Sequence, residues 1–209
     1  MKVICLIADI VESRLISERG ELQKTLQKGL TTLNERSRSN LLSPYTITLG
    51  DEFQAVYSSY RSVFQDIGSI LVNVYPHRIR FSLSCGELHT EINPKEALGM
   101  DGPAFYGARE KLLALKKKAH TIIAVSDSSR SDIDILNSGL LMFSNELSRW
   151  KGTTVACFDA LMRGKTVRNM TADAQVSARM LYKSIESNNL RDYVEFLRIL
   201  TDTLEKDHP

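Results

Sequence analysis

Two acidic residues stand where the chain is about to turn. Asp9 closes the apolar run Val3-Ile-Cys-Leu-Ile-Ala8, and Asp51 follows Gly50 inside Tyr45-Thr-Ile-Thr-Leu-Gly-Asp-Glu-Phe-Gln-Ala-Val-Tyr57. Glycine frees the backbone at a bend and aspartate tolerates it, so the second stretch reads strand, tight turn, strand. An acid at such a tip does little for a core. Two carboxylates brought together repel unless a cation lies between them or one stays protonated. Mg²⁺ suits such a pair, because it takes oxygen ligands and binds through one or two carboxylates, with water and phosphate completing its shell. The spacing therefore invites Mg²⁺ or Mn²⁺ on Asp9, Asp51 and the backbone carbonyl of Ile10, with Glu12 and Glu52 as neighbouring acids. The plainer alternative is that Asp9 ends a strand and Asp51 makes a turn.

The elements that position these acids follow from periodicity. Residues 2–10 are apolar almost throughout, as in a strand buried on both faces. Leu22, Leu26, Leu30 and Leu33 recur at three and four, which predicts a helix from about Glu18 to Asn40, ended by Leu41-Leu-Ser-Pro44. A hairpin over 45–57 comes next. A helix over 59–74 follows it, and then the alternating strand Arg78-Ile-Arg-Phe-Ser-Leu-Ser-Cys-Gly86. Pro103 opens a helix running to Lys118, and Thr121-Ile-Ile-Ala-Val125 is another strand. The expected class is α/β (α+β): a ferredoxin-like βαββαβ core with one extra helix and strand. In that topology the first and third strands are neighbours, which brings Asp9 to the Asp51 hairpin.

Beyond residue 143 the pattern is helical, so the chain divides into 1–143 and a small all-α part, 144–209. A helix is expected over Ser144–Arg163. Met170, Ala174, Val176, Met180, Leu181 and Ile185 fit two short helices joined by a tight turn at Ala174-Gln-Val176, with Ser177 as N-cap of the second. This resembles a bacterial helix-turn-helix, with Thr171 and Gln175 departing from the usual alanine and glycine. If the second helix enters a major groove, Ser177, Ala178, Arg179 and Tyr182 face bases, and Lys183 or Arg168 meets phosphate. A helical cap on the sheet is the alternative. Leu190–Leu204 carries Tyr193, Phe196, Leu197, Leu200 and Leu204 on one face, as a docking or homodimer helix would. Trp150 reads as an anchor between the helices and the sheet.

Composition narrows the partners. A formal charge of +2 over 209 residues announces neither nucleic acid nor membrane. The run Lys116-Lys117-Lys118 reads as a solvated helix end. Cys5, Cys85 and Cys157 are widely spaced and odd in number, which fits buried thiols in a reducing compartment. His77, His89, His120 and His208 lack metal-ligand spacing. The acidic start is unlike a signal peptide, and no run reaches the roughly 20 apolar residues of a membrane span. A cytoplasmic location without membrane contact is expected.

The order Ala8-Asp-Ile10, Leu49-Gly-Asp-Glu-Phe53, Ile79-Arg-Phe-Ser-Leu-Ser-Cys-Gly-Glu87, Gly102-Pro-Ala-Phe-Tyr-Gly-Ala108 and Ile122-Ile-Ala-Val-Ser126 resembles the class III nucleotide cyclase homology domain. Gly50-Asp-Glu-Phe53 is also similar to the diguanylate cyclase hairpin, and the sequence resembles the SatD family of bacterial proteins. The cyclase resemblance implies that Asp9 and Asp51 hold the metal pair that binds a triphosphate and activates the ribose hydroxyl. It places Ile47 where cyclases select the base with lysine, Tyr106 near their transition-state asparagine, and Glu110 near their arginine. Phosphoryl transfer needs cationic stabilisation, which leaves Arg109 and Lys116 as the phosphate-facing residues. Glu12 stands where cyclases have glycine near the phosphates. The expected function is regulatory: a degenerate, metal-dependent nucleotide-binding domain coupled to a DNA- or partner-binding helix-turn-helix. An active divergent cyclase and a non-catalytic scaffold are the alternatives.

Overall fold

The computed structural model describes residues 2–118, 121–174 and 176–206. Gln175, His120 and His208 lie outside the described residues. The core runs β1 (Lys2–Ile10), α1 (Arg19–Arg36), β2 (Leu41–Ile47), β3 (Glu52–Tyr57), α2 (Val63–Val74) and β4 (Ile79–Glu87), with a single 3-10 turn at Ser13–Leu15. Then come α3 (Pro103–Lys116) and β5 (Ile123–Ser126). The five-stranded sheet has the order β2-β3-β1-β4-β5, with β1 antiparallel to β3 and β4, and β5 parallel to β4. This is the mixed α/β, ferredoxin-like arrangement with an added helix and strand.

Side chains alternate across a strand, and β1 sends them to two separate cores. Ile4, Leu6, Ala8 and Ile10 join Leu22, Leu26, Leu30 and Leu33 of α1 and Val63, Ile67, Ile70 and Val74 of α2. Val3, Cys5 and Ile7 join Ala104, Phe105, Ala108 and Leu112 of α3. Each fully buried Leu, Ile or Phe contributes about 2 kcal/mol relative to exposure, so both faces of β1 are strongly fixed. Asp9 is odd-numbered and falls on the α3 face. Gly86 lets α3 come close: a Cβ there would stand 2.7 Å from the Ala104 amide nitrogen.

α1 is shorter than expected, and Leu41-Leu-Ser-Pro44 belongs to β2 rather than ending the helix. β2 is an edge strand, and its pairing with β3 shifts register between Ser43 and Thr46. Proline is tolerated at that irregularity, because no ladder bond needs its missing N–H. Beneath α1, the buried Asp66 carboxylate accepts from Arg36 Nη2 at 2.7 Å, Ser37 Oγ at 2.8 Å and the Tyr57 hydroxyl at 2.9 Å. Tyr45 and Tyr57 share a hydroxyl–hydroxyl bond, and burial followed by the neighbouring anion pushes the Tyr45 phenol well up.

The helical remainder is α4 (Ile133–Leu147), α5 (Gly152–Met162), α6 (Val167–Ala174), α7 (Ala178–Ser187) and α8 (Leu190–Glu205). The helix expected over 144–163 is thus two helices, and the boundary drawn at 143/144 falls inside α4. The break lets Trp150 turn inward against Phe143, Phe158 and Tyr193, with ring centroids 5.9, 5.1 and 5.7 Å away. Leu190, Leu197, Leu200 and Leu204 bury the apolar face of α8 within the same core cluster that holds the α1 and α2 side chains, so α8 takes the docking role. Burial pushes the Cys5 thiol far up and the Cys85 thiol to about 11, consistent with protonated, structural cysteines.

Candidate functional site

The register of β1 sets one charged row across the sheet. Asp9 stands opposite Glu52 on β3 and opposite Arg80 on β4, and directly opposed residues share a face. α3 crosses that face and lowers two cations onto the row, from positions two helical turns apart. Arg109 Nη1 lies 2.6 Å from Glu52 Oε2, and Lys116 Nζ lies 3.0 Å from Asp9 Oδ2. Arg80 Nη1 lies 3.6 Å from Asp9 Oδ1. That oxygen is buried and makes no hydrogen bond, so its stabilisation is the charge of Arg80 rather than a bond.

The hairpin does bring Asp51 to the end of β1. Its backbone carbonyl accepts the Ile10 amide at 3.0 Å, and its Oδ2 accepts the Ser13 hydroxyl. Gly50 takes the left-handed φ of 68° that this tip demands. The Asp51 backbone thus meets the end of β1, and both carboxylates already have partners within the protein. Asp9 is held by two cations and the Asp51 carboxylate by a hydroxyl. Among the described residues no group of three His, Cys, Asp or Glu side chains is disposed to hold a metal ion. As arranged, the Lys116 ammonium stands at Asp9 Oδ2, where a divalent cation on Asp9 would sit.

Next to Asp9 opens a cavity of about 750 Å³, lined by Val11, Glu12, Leu15, Ile16, Pro76, His77, Arg78, Arg80 and Lys116–Lys118. Five cationic side chains face one acid across it. The lysine run that reads as a solvated helix end forms one wall. Lys116 lines the cavity, whereas Arg109 is absent from the lining and is held by Glu52. Glu12, the lone acid, adopts a left-handed backbone at φ 54°. A non-glycine residue there costs on the order of 1 kcal/mol. A smaller cavity of about 150 Å³ shares the wall Pro76-His77-Arg78 and reaches Trp150 and Val155.

Arg80, Arg78, Lys117 and Lys118 were not anticipated as site residues. The signal for the arginines lay in the alternation of Arg78-Ile-Arg-Phe81: with Ile79 and Phe81 in the α1/α2 core, the arginines must face the Asp9 side.

At the other end of the chain, α6 and α7 form the expected helical pair. Ser177 caps α7, its Oγ accepting the Met180 amide at 3.3 Å. Arg168, Ser177, Ala178, Arg179, Tyr182 and Lys183 are all exposed. Leu181 and Ile185 are buried, but Met180, expected inside, is 63% exposed.

Comparison with known proteins adds the following. The family model described as the SatD family matches residues 3–196. No curated protein matches the sequence. Two solved chains of a bacterial light-regulated adenylyl cyclase align with 60% of this chain. One is 18% identical with a TM-score of 0.44 over 75% of its own length. The other is 17% identical with a TM-score of 0.46 over 43% of its length. No helix among the described residues is long and apolar enough to cross a membrane.

Proposed function

The chain belongs to the SatD family, and from that premise we propose a regulatory protein that binds a nucleotide or related polyphosphate through its sheet domain and a DNA or protein partner through its helical part. One observation carries the first half: the cavity beside Asp9, with Arg78, Arg80 and Lys116–Lys118 facing a single acid. Its volume lies within the roughly 300–1,000 Å³ of small-molecule sites. Clustered cations in a concave wall focus field and favour a multiply charged anion. Turnover is not part of this reading. Tyr106, near the position of the cyclase asparagine, is exposed and donates its hydroxyl to Asp101. Position 110 carries glutamate, and Arg109 already holds Glu52. The metal-dependent form of the reading, with Mg²⁺ or Mn²⁺ on Asp9, Ile10 and Asp51, requires Lys116 to leave Asp9 first.

Titration calorimetry at low salt with ATP, GTP and inorganic tripolyphosphate tests the proposal. Saturable binding that weakens as salt rises is expected; no heat from any of the three at low salt would sink it. Glu12→Gly removes both a repelling charge and the left-handed strain. It is expected to tighten tripolyphosphate roughly 3–10-fold, the worth of about 1 kcal/mol of repulsion in a solvent-facing site. Its stability should stay within about 1 kcal/mol, since relieved strain offsets the added freedom of the unfolded chain.

The second half rests on the exposed Arg179, Met180, Tyr182 and Lys183 of α7. A cationic face with a tyrosine is of the composition that meets phosphate and base edges. On duplex DNA, Arg179→Ala and Lys183→Ala should each reduce affinity and flatten its salt dependence by about one unit of log–log slope. Unchanged slopes would assign this face to a protein partner.

A further inference from the structure

We propose that the Lys116 ammonium, backed by the Arg80 guanidinium, takes the place of a divalent cation at Asp9, so that the cavity holds its anionic ligand without a metal ion. This rests on the reading of the cavity as an anion site. Asp9 is 6% exposed, and a buried carboxylate needs a cation. The chain supplies two, one from each neighbouring element: Arg80, the cross-strand partner on β4, and Lys116, at the last turn of α3. A carboxylate with one Mg²⁺ has a net charge of +1, and a carboxylate with one lysine and one arginine has the same. The protein thus reproduces the charge of a metal–aspartate unit with two single charges. Both cations also line the cavity, so the surplus faces the ligand, as a metal's would.

The remaining acids are arranged in keeping with this. Glu52 is neutralised by Arg109, and the Asp51 carboxylate accepts the Ser13 hydroxyl. A divalent ion approaching Asp9 Oδ2 would have to displace an ammonium 3.0 Å away. It would also be repelled by the Arg80 guanidinium beside Asp9 Oδ1.

The direct test uses Mn²⁺ alone, with no polyphosphate, and follows the resonance signal of the free ion. The wild-type chain is expected to leave the Mn²⁺ signal unchanged. Lys116→Ala, and equally Lys116→Gln, should take up one Mn²⁺ per chain, and Asp9→Asn added to either should abolish the uptake. Lys116→Arg should behave as wild type. Circular dichroism confirms that each variant is folded. Asp9-dependent Mn²⁺ uptake by the wild-type chain would overturn the proposal, as would a folded Lys116→Ala and Lys116→Gln that take up none. A second arm measures tripolyphosphate binding by the wild-type chain in EDTA. Affinity within twofold of that without chelator is expected, and loss of binding on chelation overturns metal independence. If tripolyphosphate fails to bind under any condition, the anion reading falls, while the Mn²⁺ arm still reports whether Lys116 excludes the metal.

Discussion

Reversing two lysines, Lys117→Glu with Lys118→Glu, is expected to weaken tripolyphosphate binding roughly 100-fold, the equivalent of about 2.7 kcal/mol. Both side chains are exposed at the end of α3, and both line the basic cavity. Neither makes an ion pair among the described residues, so nothing in the fold depends on their charge. Two reversals change the cavity charge by four units. At exposed sites each unit acts on a nearby anion by several tenths of a kcal/mol to about 1 kcal/mol. Calorimetry at low salt reads the affinity, and a thermal melt of the free protein reads stability, which should stay level. The difference between variant and wild type should shrink as salt rises and screening takes over. An affinity within twofold of wild type at low salt would remove the cavity from the functional account.

Asp66→Ala is expected to be the most destabilising single change on the α1/α2 side of the sheet, by about 3–5 kcal/mol. Asp66 is 1% exposed and accepts from Arg36, Ser37 and Tyr57. Alanine would remove the charged acceptor shared by Arg36, Ser37 and Tyr57, leaving, among the described residues, Arg36 only the Ser69 hydroxyl and Tyr57 only the Tyr45 hydroxyl, and would open the space that the carboxylate fills. Tyr45 loses support as well, because its hydroxyl is bonded to that of Tyr57. Asp66→Asn keeps one acceptor oxygen and should lose less. Urea unfolding followed by far-ultraviolet dichroism measures both. A loss below 1 kcal/mol for alanine would show that Arg36, itself 35% exposed in its side chain, finds water without penalty.

Much of the sheet was legible because period two and period 3.6 are written plainly in it. Val3 to Ala8 and Leu22, Leu26, Leu30 and Leu33 each have one stable placement. Leu41 to Pro44 misled because proline argues against a helix without saying that an edge strand follows. The break at Trp150 was hidden for a different reason: 144–163 keeps helical composition throughout, and only the aromatic cluster of Phe143, Phe158 and Tyr193 makes turning inward worthwhile. The meeting of Asp9 with the Asp51 hairpin followed from strand order. Its neutralisation did not, because Lys116 reaches Asp9 from more than a hundred residues away. A lysine run looks the same in sequence whether it faces water or a carboxylate. The missed arginines were within reach: once Ile79 and Phe81 are assigned to the core, Arg78 and Arg80 can point only to the other side.

The turn after α2 is a strip of backbone with two clients. Pro76, His77 and Arg78 wall the basic cavity, and the same three residues wall the small cavity that ends on Trp150 and Val155. The Arg78 carbonyl also accepts the Val11 amide at 2.8 Å, tying the strip to the exit of β1. On its far side Tyr75 packs so closely on Gly152 that a Cβ there would lie 2.9 Å from the ring. On the proposed reading, a ligand that shifts this strip from one side would shift the seat of α5 on the other. Thermodynamic linkage makes such a relation mutual. Under the proposed function, whatever factor a polyanion imposed on the affinity of the helical part for its partner, that partner would impose on the polyanion. Gly152→Ala, which wedges the strip from the helical side, is the substitution that would alter that factor without touching either binding surface.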